Sequence, residues 1–299
     1  MPELAEAAYY ARLWHPGLNH RILQVHAGSR AQFFRGIPAQ AVRQALTDTV
    51  FLSARTHGKN LLFEFSGGLW LAGHLGMTGE LLAGEPDHVP DKHEHLVLYT
   101  PEAALVFRDS RLFGGVKLTE SLEGLPPEWL ALPPEILSAG FTEQRVAEAL
   151  KRHARQPLKA FLLDQTWFPG IGNWMADEAL FQLRLPPSTP CGQVDPGALR
   201  KVLRHICRIS LKTVGADWSD LPAAWLMRYR WKAGGHCPRC GAELARKTLR
   251  GRTACWCPGC QQGEDAPPAS GKESGGLKRK RKEPAVRGPR RKGSRHALS

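Results

Sequence analysis

The sequence lacks any apolar run approaching the roughly 18 residues that a membrane-spanning helix requires. Its amino terminus also lacks the basic segment followed by an apolar one that marks a secretory signal. We therefore expect a soluble intracellular protein without a membrane partner, cytoplasmic and nucleoid-associated in a bacterium or nuclear in a eukaryote. No internal repeat and no regular strand–helix alternation is present, which argues against solenoids and parallel α/β sheets.

Acidic residues are few: 28 Asp and Glu stand against 41 Lys and Arg, a net charge of +13. This excess of positive charge predicts a polyanionic partner, and nucleic acid is the first candidate. Residues 264–299 hold eleven basic and four acidic residues, so the body is basic even without them. Because the segment is also rich in Pro, Gly and Ser, we predict a disordered basic tail over 263–299 that tethers DNA non-specifically. A nuclear-import signal is the alternative interpretation.

Cysteine is too sparse for a disulfide framework, and four of the seven cysteines form two Cys-x2-Cys pairs separated by sixteen residues. Two such pairs can place four thiolates tetrahedrally around one Zn²⁺. We expect one structural zinc in a ribbon whose hairpin turns near Gly251, with Cys255 and His236 as bystanders. Since the protein supplies all four ligands, the metal should stabilise the module and not catalyse. The ligands are Cys237, Cys240, Cys257 and Cys260.

Hydrophobic patterning divides the remaining chain into a β-rich part and a helical part. After an N-terminal helix over residues 1–15, short alternating apolar runs from Ile22 to Glu120 predict an antiparallel β-sandwich or barrel. Helical spacing follows a proline-rich linker at 125–134, with Thr142 capping a helix over 143–155 and a long helix from Asp195 to Val214 that stops at Gly215. The predicted class is α+β, with an N-terminal domain (1–124), a helical domain (125–220), a zinc ribbon (221–262) and the tail (263–299).

Two short segments carry further chemistry. "MPELAEA" reads most simply as a helix start with Pro2 at the first helical position. If the initiator Met is removed, however, Pro2 becomes a free secondary amine. "LLDQTWFPGIGNWMADEALF" predicts two helices joined by a glycine turn, with Asn173 as N-cap. Its exposed N–H groups would suit a phosphate, although a plain αα-hairpin explains the segment equally well.

Taken together, these motifs resemble the formamidopyrimidine-DNA glycosylase and endonuclease VIII family. That family begins with Pro-Glu, contains a helix–two-turn–helix around a GIGN-like turn and ends in a four-cysteine zinc hairpin. "ARTHGKNLLFEF" resembles its central-lysine segment, and "GHLGMTGEL", "KHEHLVLYT" and "FRDSRLFGGVKL" resemble its DNA-entering loops. The resemblance runs in order over roughly residues 1–261 and leaves the tail outside.

The resemblance implies a bifunctional DNA glycosylase and abasic-site lyase acting on damaged double-stranded DNA as a monomer. Pro2 would be the nucleophile, Glu3 the acid/base that helps open the deoxyribose, and Glu6 a supporting carboxylate. Lys59 would assist proton transfers near the lesion. An α-amine suits this reaction because its reference pKa, about 7.7–8.0, leaves a useful unprotonated share at neutral pH.

The resemblance also implies which residues contact DNA. Met77 and Phe113 would wedge into the gap left by the flipped base, and Arg111 would bond the opposite base. Without the resemblance, Met77 and Phe113 would more often be core residues. The expected phosphate contacts are Asn173, His93, Arg155 and Arg252, and Arg252 is also one of the predicted catalytic residues.

Departures from the family pattern leave the preferred lesion open. The stretch between the long helix and the zinc ribbon is short, whereas 8-oxoguanine-specific members carry a longer glycine-rich loop there. Formamidopyrimidines and 8-oxoguanine are the first expectation, and an endonuclease VIII-like preference for oxidised pyrimidines is the alternative. A non-enzymatic zinc-containing DNA-binding protein is the rival class, against which the joint presence of Pro2, Glu3 and Lys59 argues.

Overall fold

Eight short strands fill the N-terminal part, as the alternating runs predict. The computed structural model describes residues 2–231 and 234–263. The strands are β1 (Gln24–Ala27), β2 (Phe51–His57), β3 (Asn60–Phe65), β4 (Leu69–His74), β5 (Gly79–Gly84), β6 (Glu94–Tyr99), β7 (Ala104–Asp109) and β8 (Gly115–Glu120).

These strands form two antiparallel four-stranded sheets, ordered β1-β6-β7-β5 and β2-β3-β4-β8. Alternate side chains of both sheets meet in one apolar core, because successive residues of a strand point to opposite faces. Phe63, Phe65 and Leu71 come from one sheet, and Leu98 and Phe107 from the other. The predicted sandwich and the α+β class are therefore confirmed.

Two helices accompany the sandwich, and one of them was not predicted. Helix α1 (Leu4–Arg12) buries Tyr10 and Ala11 in the sandwich core, whereas its first residue, Leu4, belongs to the core of the helical part. Helix α2 (Ala39–Leu46) covers β1 with Val42 and Leu46. Its eight residues are too few for a clear apolar period, so no helix is predicted there.

The helical part follows the proline-rich segment and has its own apolar core, which includes Phe141, Phe168 and Leu203. Its helices are α3 (Pro127–Leu130), α4 (Glu143–Arg152), α5 (Leu158–Phe161), α6 (Asn173–Leu183), α7 (Pro196–Lys212) and α8 (Val214–Asp217). None of the helices within residues 2–231 and 234–263 is long and apolar enough to cross a membrane.

The ends of these helices test the capping predictions. Thr142 caps α4 by accepting a bond from the Arg145 amide, and Asp195 caps α7, so both predicted starts are confirmed. Gly215 does not end the long helix, which stops at Thr213; the glycine lies inside α8. Thr213 breaks the helix because its backbone leaves the helical region, with φ −107° and ψ −92°.

Two predicted helix starts are wrong by one or two residues. Glu3 is the N-cap of α1, so Pro2 precedes the helix and does not occupy its first helical position. Gly172, with an extended backbone, is the N-cap of α6, and Asn173 is its first helical residue. At α1 the Glu6 carboxylate accepts a bond from the Glu3 amide, and at α6 the Glu3 carboxylate, from the start of the chain, accepts bonds from the first amides.

The zinc-ribbon segment forms the predicted hairpin. Strands β9 (Ala245–Leu249) and β10 (Arg252–Trp256) pair antiparallel, and Arg250 and Gly251 turn between them with positive φ. Residues 2–263 belong to a single compact unit. The predicted domain boundaries stay a prediction, and the predicted disordered tail lies outside the described residues.

Candidate functional site

The buried carboxylate of Glu3 lies at the N-terminus of α6. Its Oε2 accepts bonds from the amides of Gly172 at 3.0 Å and Met175 at 3.1 Å, and its Oε1 accepts one from the Trp174 amide at 2.9 Å. A helix leaves its first amides unpaired and carries a positive dipole end there, and both favour an anion. Glu3 therefore caps a helix that begins about 170 residues further along the chain.

Two glycines of the "GIG" turn allow this close approach. A Cβ on Gly172 would overlap the Glu3 carboxyl group, so only glycine fits between the carboxylate and the helix. Gly170 has φ +88°, and a Cβ there would lie 2.7 Å from the Leu4 side chain. The Gly170 carbonyl in turn accepts a bond from the Leu4 amide at 3.1 Å. The turn thus holds the start of α1, with Pro2 immediately before it.

Glu6 lies beneath Glu3 and is also buried. One of its oxygens accepts a bond from the Trp174 indole at 2.9 Å and the other from the Glu3 amide at 3.1 Å. Burial, followed by the nearby charge of Glu3, raises the pKa of Glu6 to about 7. Burial also raises the pKa of Glu3, against the opposing effects of Lys59 and of the α6 amides. Both carboxyl groups can therefore hold a proton at a higher pH than an exposed Glu can.

Lys59 comes from the turn between β2 and β3 and reaches the same place. Its Nζ donates to the Ile171 carbonyl at 2.8 Å, inside the GIGN-like turn. Desolvation lowers the pKa of Lys59, partly offset by the charge of Glu3, while the charge of Arg252 lowers it further. The arrangement brings an amine with a depressed pKa close to a carboxyl group with an elevated one, which favours proton exchange between them.

One residue of this region was missed by the sequence reasoning. His74, at the end of β4, lines a cavity of about 280 Å³ together with Lys59 and Gln165. Burial lowers the pKa of its imidazole, and the positive charges of Arg35 and Lys59 lower it further. Its Nδ1 accepts a bond from the Gly76 amide at 3.0 Å. The only sequence signal was a histidine immediately before the "LGMTG" motif, and in isolation it looked like an ordinary strand end.

Asn173 and Arg252 lie where α6 meets the ribbon hairpin. The Asn173 Nδ2 donates to the Thr253 carbonyl on β10 at 2.9 Å, so the side chain bridges the helix start and the hairpin. Arg252 is the neighbour of Thr253 and is exposed. The structure therefore brings four predicted catalytic residues (Glu3, Glu6, Lys59 and Arg252) and Asn173 together, from positions up to 249 residues apart.

A second group of predicted residues lies on two adjoining loops, which we call the Asp109 loops (residues 75–78 and 110–114). The buried Asp109 carboxylate accepts bonds from the Thr78 hydroxyl at 2.5 Å and from the amides of Arg111 at 3.1 Å and Gly114 at 2.7 Å. It thereby ties one loop to the other, a role that the sequence did not reveal. Gly76 faces the backbone of Phe113 at the junction, where no Cβ would fit.

The side chains on these loops are exposed and not in the core. Met77 is 39% exposed and Phe113 48%, and the two lie on adjoining loops that Asp109 ties together. The Arg111 guanidinium lies over the Phe113 ring, 4.6 Å from its centroid. Met77 and Phe113 had two interpretations, as wedges that enter DNA or as core residues. Their exposure shows that the core interpretation is wrong.

The two remaining predicted contacts differ in their surroundings. His93 adjoins the Asp109 loops, since its carbonyl accepts a bond from the Asp109 amide at 2.8 Å. Arg155 lies in the exposed turn that follows α4. Among the described residues, no hydrogen bond or ion pair connects Arg155 to either group.

The four predicted ligand cysteines form one cluster, with all four sulfur atoms within 4.8 Å of one another. The Sγ atoms of Cys237 and Cys260 are 3.9 Å apart, and those of Cys240 and Cys257 are 3.4 Å apart. Four thiolates at Zn–S distances near 2.3 Å in a tetrahedron would be separated by about 3.8 Å. The donor set and its spacing therefore fit a metal ion of the zinc type, and Cys255 lies outside the set.

Comparison with known proteins agrees with this arrangement over most of the chain. Residues 1–116 match the model of the formamidopyrimidine-DNA glycosylase N-terminal domain, and residues 132–221 match that of its H2TH domain. The formamidopyrimidine-DNA glycosylase of Desulfitobacterium hafniense is 30% identical over 273 residues, which cover 87% of this chain and 100% of the relative. That of Thermus thermophilus is 34% identical over 278 residues, covering 87% and 98% respectively.

Solved structures give the same result. The Lactococcus lactis formamidopyrimidine-DNA glycosylase bound non-covalently to DNA containing an abasic site superimposes with a TM-score of 0.75 at 26% identity. The match covers 87% of this chain and 100% of that one. A variant of the same enzyme bound to DNA containing a formamidopyrimidine lesion also gives a TM-score of 0.75, at 27% identity. From its sequence relatives and from the site described above, this chain belongs to the formamidopyrimidine-DNA glycosylase family.

Proposed function

We propose that the protein is a base-excision-repair DNA glycosylase that removes oxidised bases and then cleaves the abasic strand by β/δ-elimination. The observation that carries this proposal is the buried Glu3 carboxylate, which fixes the start of the chain against the N-terminus of α6 with Lys59 beside it. A chain terminus is rarely held in this way, because termini are usually poorly ordered. Family membership supports the same activity.

The reaction requires removal of Met1, so that Pro2 carries a free secondary amine. The nitrogen lone pair attacks the sugar C1′ as the glycosidic bond breaks, and the damaged base leaves with the bonding electrons and a proton. Opening of the sugar ring then gives an iminium between Pro2 and C1′. The iminium acts as an electron sink, so loss of a C2′ proton expels the 3′ phosphate, and a second elimination expels the 5′ phosphate.

Glu3 would give a proton to the sugar. Burial raises its pKa above that of an exposed Glu, which suits a group that protonates the ring oxygen as the ring opens. Glu6 supports Glu3 by accepting a hydrogen bond from the Glu3 amide, and it holds Trp174 in place by accepting one from the indole. Lys59, with a lowered pKa, can exchange protons near the lesion.

DNA is the partner that the two residue groups fit. The exposed Met77 and Phe113 would fill the gap that a flipped nucleotide leaves, and Arg111 would bond the widowed base. Arg252 and Asn173 would bind a backbone phosphate beside the lesion, with His93 and Arg155 as further phosphate contacts. One Zn²⁺ held by the four clustered cysteines would stabilise the hairpin that carries Arg252, and the protein would act as a monomer.

The lesion itself is open between two classes. Formamidopyrimidines and 8-oxoguanine are the first proposal, and oxidised pyrimidines are the alternative because the stretch between α8 and β9 is short. Single-turnover cleavage of duplexes carrying each of the three lesions would rank them. Thymine glycol is a suitable oxidised pyrimidine.

Borohydride reduction on an abasic duplex tests the proposed chemistry. The wild-type protein should give a covalent protein–DNA adduct whose cross-link maps to the N-terminal peptide and whose intact mass shows loss of Met1. The adduct should be lost in a variant with a residue added before Pro2, because the terminal amine is then displaced from the site. Lys59→Ala is the matched control, because that variant keeps the terminal amine and should still be trapped. No adduct from the wild type, together with tight DNA binding, would favour the non-enzymatic alternative.

A further inference from the structure

A second buried charge cluster lies one turn further along α6 and takes no part in the proposed chemistry. We call it the Asp177 cluster (Lys159, Asp177 and Arg230). The Lys159 Nζ is 2.6 Å from one Asp177 oxygen, and the Arg230 guanidinium donates to the other through Nε at 3.1 Å and Nη2 at 2.6 Å. All three side chains are at most 3% exposed. Charges buried this deeply persist only when they are paired, so each ion depends on the others.

The cluster connects segments that are far apart in the sequence. Lys159 belongs to α5, Asp177 to α6, and Arg230 to the segment that leads into the zinc ribbon. The oxygen that binds Arg230 also lies 3.3 Å from the Cys255 amide, on β10. One carboxylate thus holds the helical core, the segment before the ribbon and the hairpin strand in a fixed arrangement.

The same hairpin strand is held to α6 at a second point. The carbonyl of Thr253, which lies two residues before Cys255 on β10, accepts a hydrogen bond from the Asn173 Nδ2 at 2.9 Å. Strand β10 is therefore bonded to both the first and the second turn of α6. Arg252 directly precedes these contacts, and a rotation of the hairpin about the helix would move its guanidinium away from Lys59 and Asn173.

The charge balance argues that the acid is essential to this arrangement. Asp177 offsets two cations. Burial lowers the pKa of Lys159, Asp177 opposes that effect, and the charge of Arg230 adds to it. Without the carboxylate, two buried cations would face each other beside a site that also holds Lys59. Lys159 can relieve part of this repulsion by losing its proton, but the Arg230 guanidinium stays charged. Arg230 and its segment would therefore be displaced towards solvent, and the hairpin would move with it because Arg246 donates to the Arg230 carbonyl at 2.5 Å.

We infer that Asp177 is a positioning residue, which holds the ribbon hairpin on α6 so that Arg252 and Asn173 act on the same DNA phosphate. The inference rests on the proposed function. It predicts that Asp177 acts on DNA through Arg252 and not through general stability. The losses caused by removing the two residues should then overlap instead of adding, because contacting or coupled groups give non-additive effects.

A double-mutant cycle tests this with full-length, zinc-loaded protein and a duplex that carries a tetrahydrofuran abasic-site analogue. Arg252→Ala and Asp177→Asn should each weaken binding about tenfold, the loss expected for one charge-assisted phosphate contact. The double variant should bind within about twofold of the weaker single variant. Losses that multiply to about a hundredfold, or wild-type binding by Asp177→Asn, would overturn the inference.

Asp220→Asn is the matched control. Asp220 also pairs with an arginine of the segment before the ribbon, Arg228 at 3.2 Å, but its side chain is 83% exposed. Its removal should leave binding unchanged and should combine additively with Arg252→Ala. Should Asp177→Asn fail to fold, Arg230→Lys replaces Asp177→Asn in the cycle. This variant keeps the positive charge and loses the two-point contact with Asp177. Affinity losses that overlap with those of Arg252→Ala support the inference, and losses that multiply refute it.

Zinc content and the thermal transition are measured for every variant, so that a loss of fold is recognised. The cycle measures binding alone and does not depend on the lyase chemistry. Failure of borohydride trapping with an intact cycle would refute the proposed chemistry and leave the positioning role standing. Failure of the wild type to prefer the abasic analogue over undamaged duplex would refute the proposed function itself.

Discussion

At the scale of single residues, the dominant feature is burial of groups that normally face water. Glu3, Glu6 and the Asp177 cluster lie in the interior, where an unpaired charge would be strongly destabilising. Backbone amides, an indole and cations compensate them in part, and burial still raises the pKa values of the two glutamates. Such groups make the stability of the protein depend on pH in a way that can be calculated.

Glu6 gives the clearest pH prediction. Its pKa is about 7 in the folded protein and 4.5 in a free side chain, so the folded state binds more protons between these values. The contribution of Glu6 to the free energy of unfolding is therefore present below pH 4.5 and declines as the pH rises to 7, by up to about 3 kcal/mol. In Glu6→Gln this decline should disappear.

Urea unfolding of both proteins at several pH values between 5 and 8 measures this difference. The stability of wild type relative to Glu6→Gln should fall over this range, most steeply below pH 7. Glu123→Gln, which alters an exposed turn, is the control and should follow wild type throughout. A constant difference between wild type and Glu6→Gln would show that Glu6 is already ionised at pH 5.

At the scale of elements, function depends on loops and helix ends that rigid strands and helices hold in place. Each of the Asp109 loops connects a strand of one sheet to a strand of the other, β4 to β5 and β7 to β8, and a single carboxylate fixes both. The ribbon hairpin is small, with Leu244 and Cys255 in a minor apolar cluster against Phe181 of α6. A core of this size cannot hold a hairpin by itself, so the metal should be needed for its fold.

Metal removal should therefore affect the hairpin selectively. We expect Cys257→Ala to lose zinc and to bind the abasic-analogue duplex at least tenfold more weakly, because Arg252 is no longer held. The thermal transition of the sandwich should remain, since its core contains no ribbon residue. Cys191→Ala, which removes a buried cysteine outside the metal cluster, should keep one zinc per chain. Full DNA affinity without zinc would contradict this prediction.

At the scale of the whole molecule, the charge distribution matters most. The body carries a basic excess in addition to that of residues 264–299. Neutralisation of DNA phosphates releases counterions, so each additional contact steepens the dependence of binding on salt. Two basic regions on one chain would hold the enzyme near DNA while the site searches for damage.

Deletion of residues 264–299 should weaken DNA binding at low salt and reduce the slope of log Kd against log salt. Single-turnover cleavage at saturating protein should be unchanged, because the described site lies wholly within residues 2–263. Replacement of the tail by an uncharged Gly/Ser segment of equal length separates charge from length. Loss of the chemical step on truncation would show that the tail contributes to the site.

Much of the architecture could be predicted because its signals are local. Alternating apolar runs gave the strands, Thr142 and Asp195 gave two helix starts, and the cysteine spacing gave the ribbon. The predicted start of α6 is wrong because its first amides bond to Glu3, some 170 residues away, and no local pattern contains that information. The predicted start of α1 is wrong for a local reason: the Glu3 amide bonds to the Glu6 carboxylate, so that Glu3 is the N-cap and Pro2 lies outside the helix.

The sequence by itself determined the order of the motifs, the metal-ligand set and the side chains available for chemistry. Tertiary structure alone decided which of them meet: Glu3 with α6, Lys59 with the Ile171 carbonyl, and Asp177 with cations from two other segments. It also decided that Met77 and Phe113 are exposed. The physical reason is that hydrogen bonds and ion pairs between distant segments form only after the sandwich and the helical core have packed, and their partners depend on that packing.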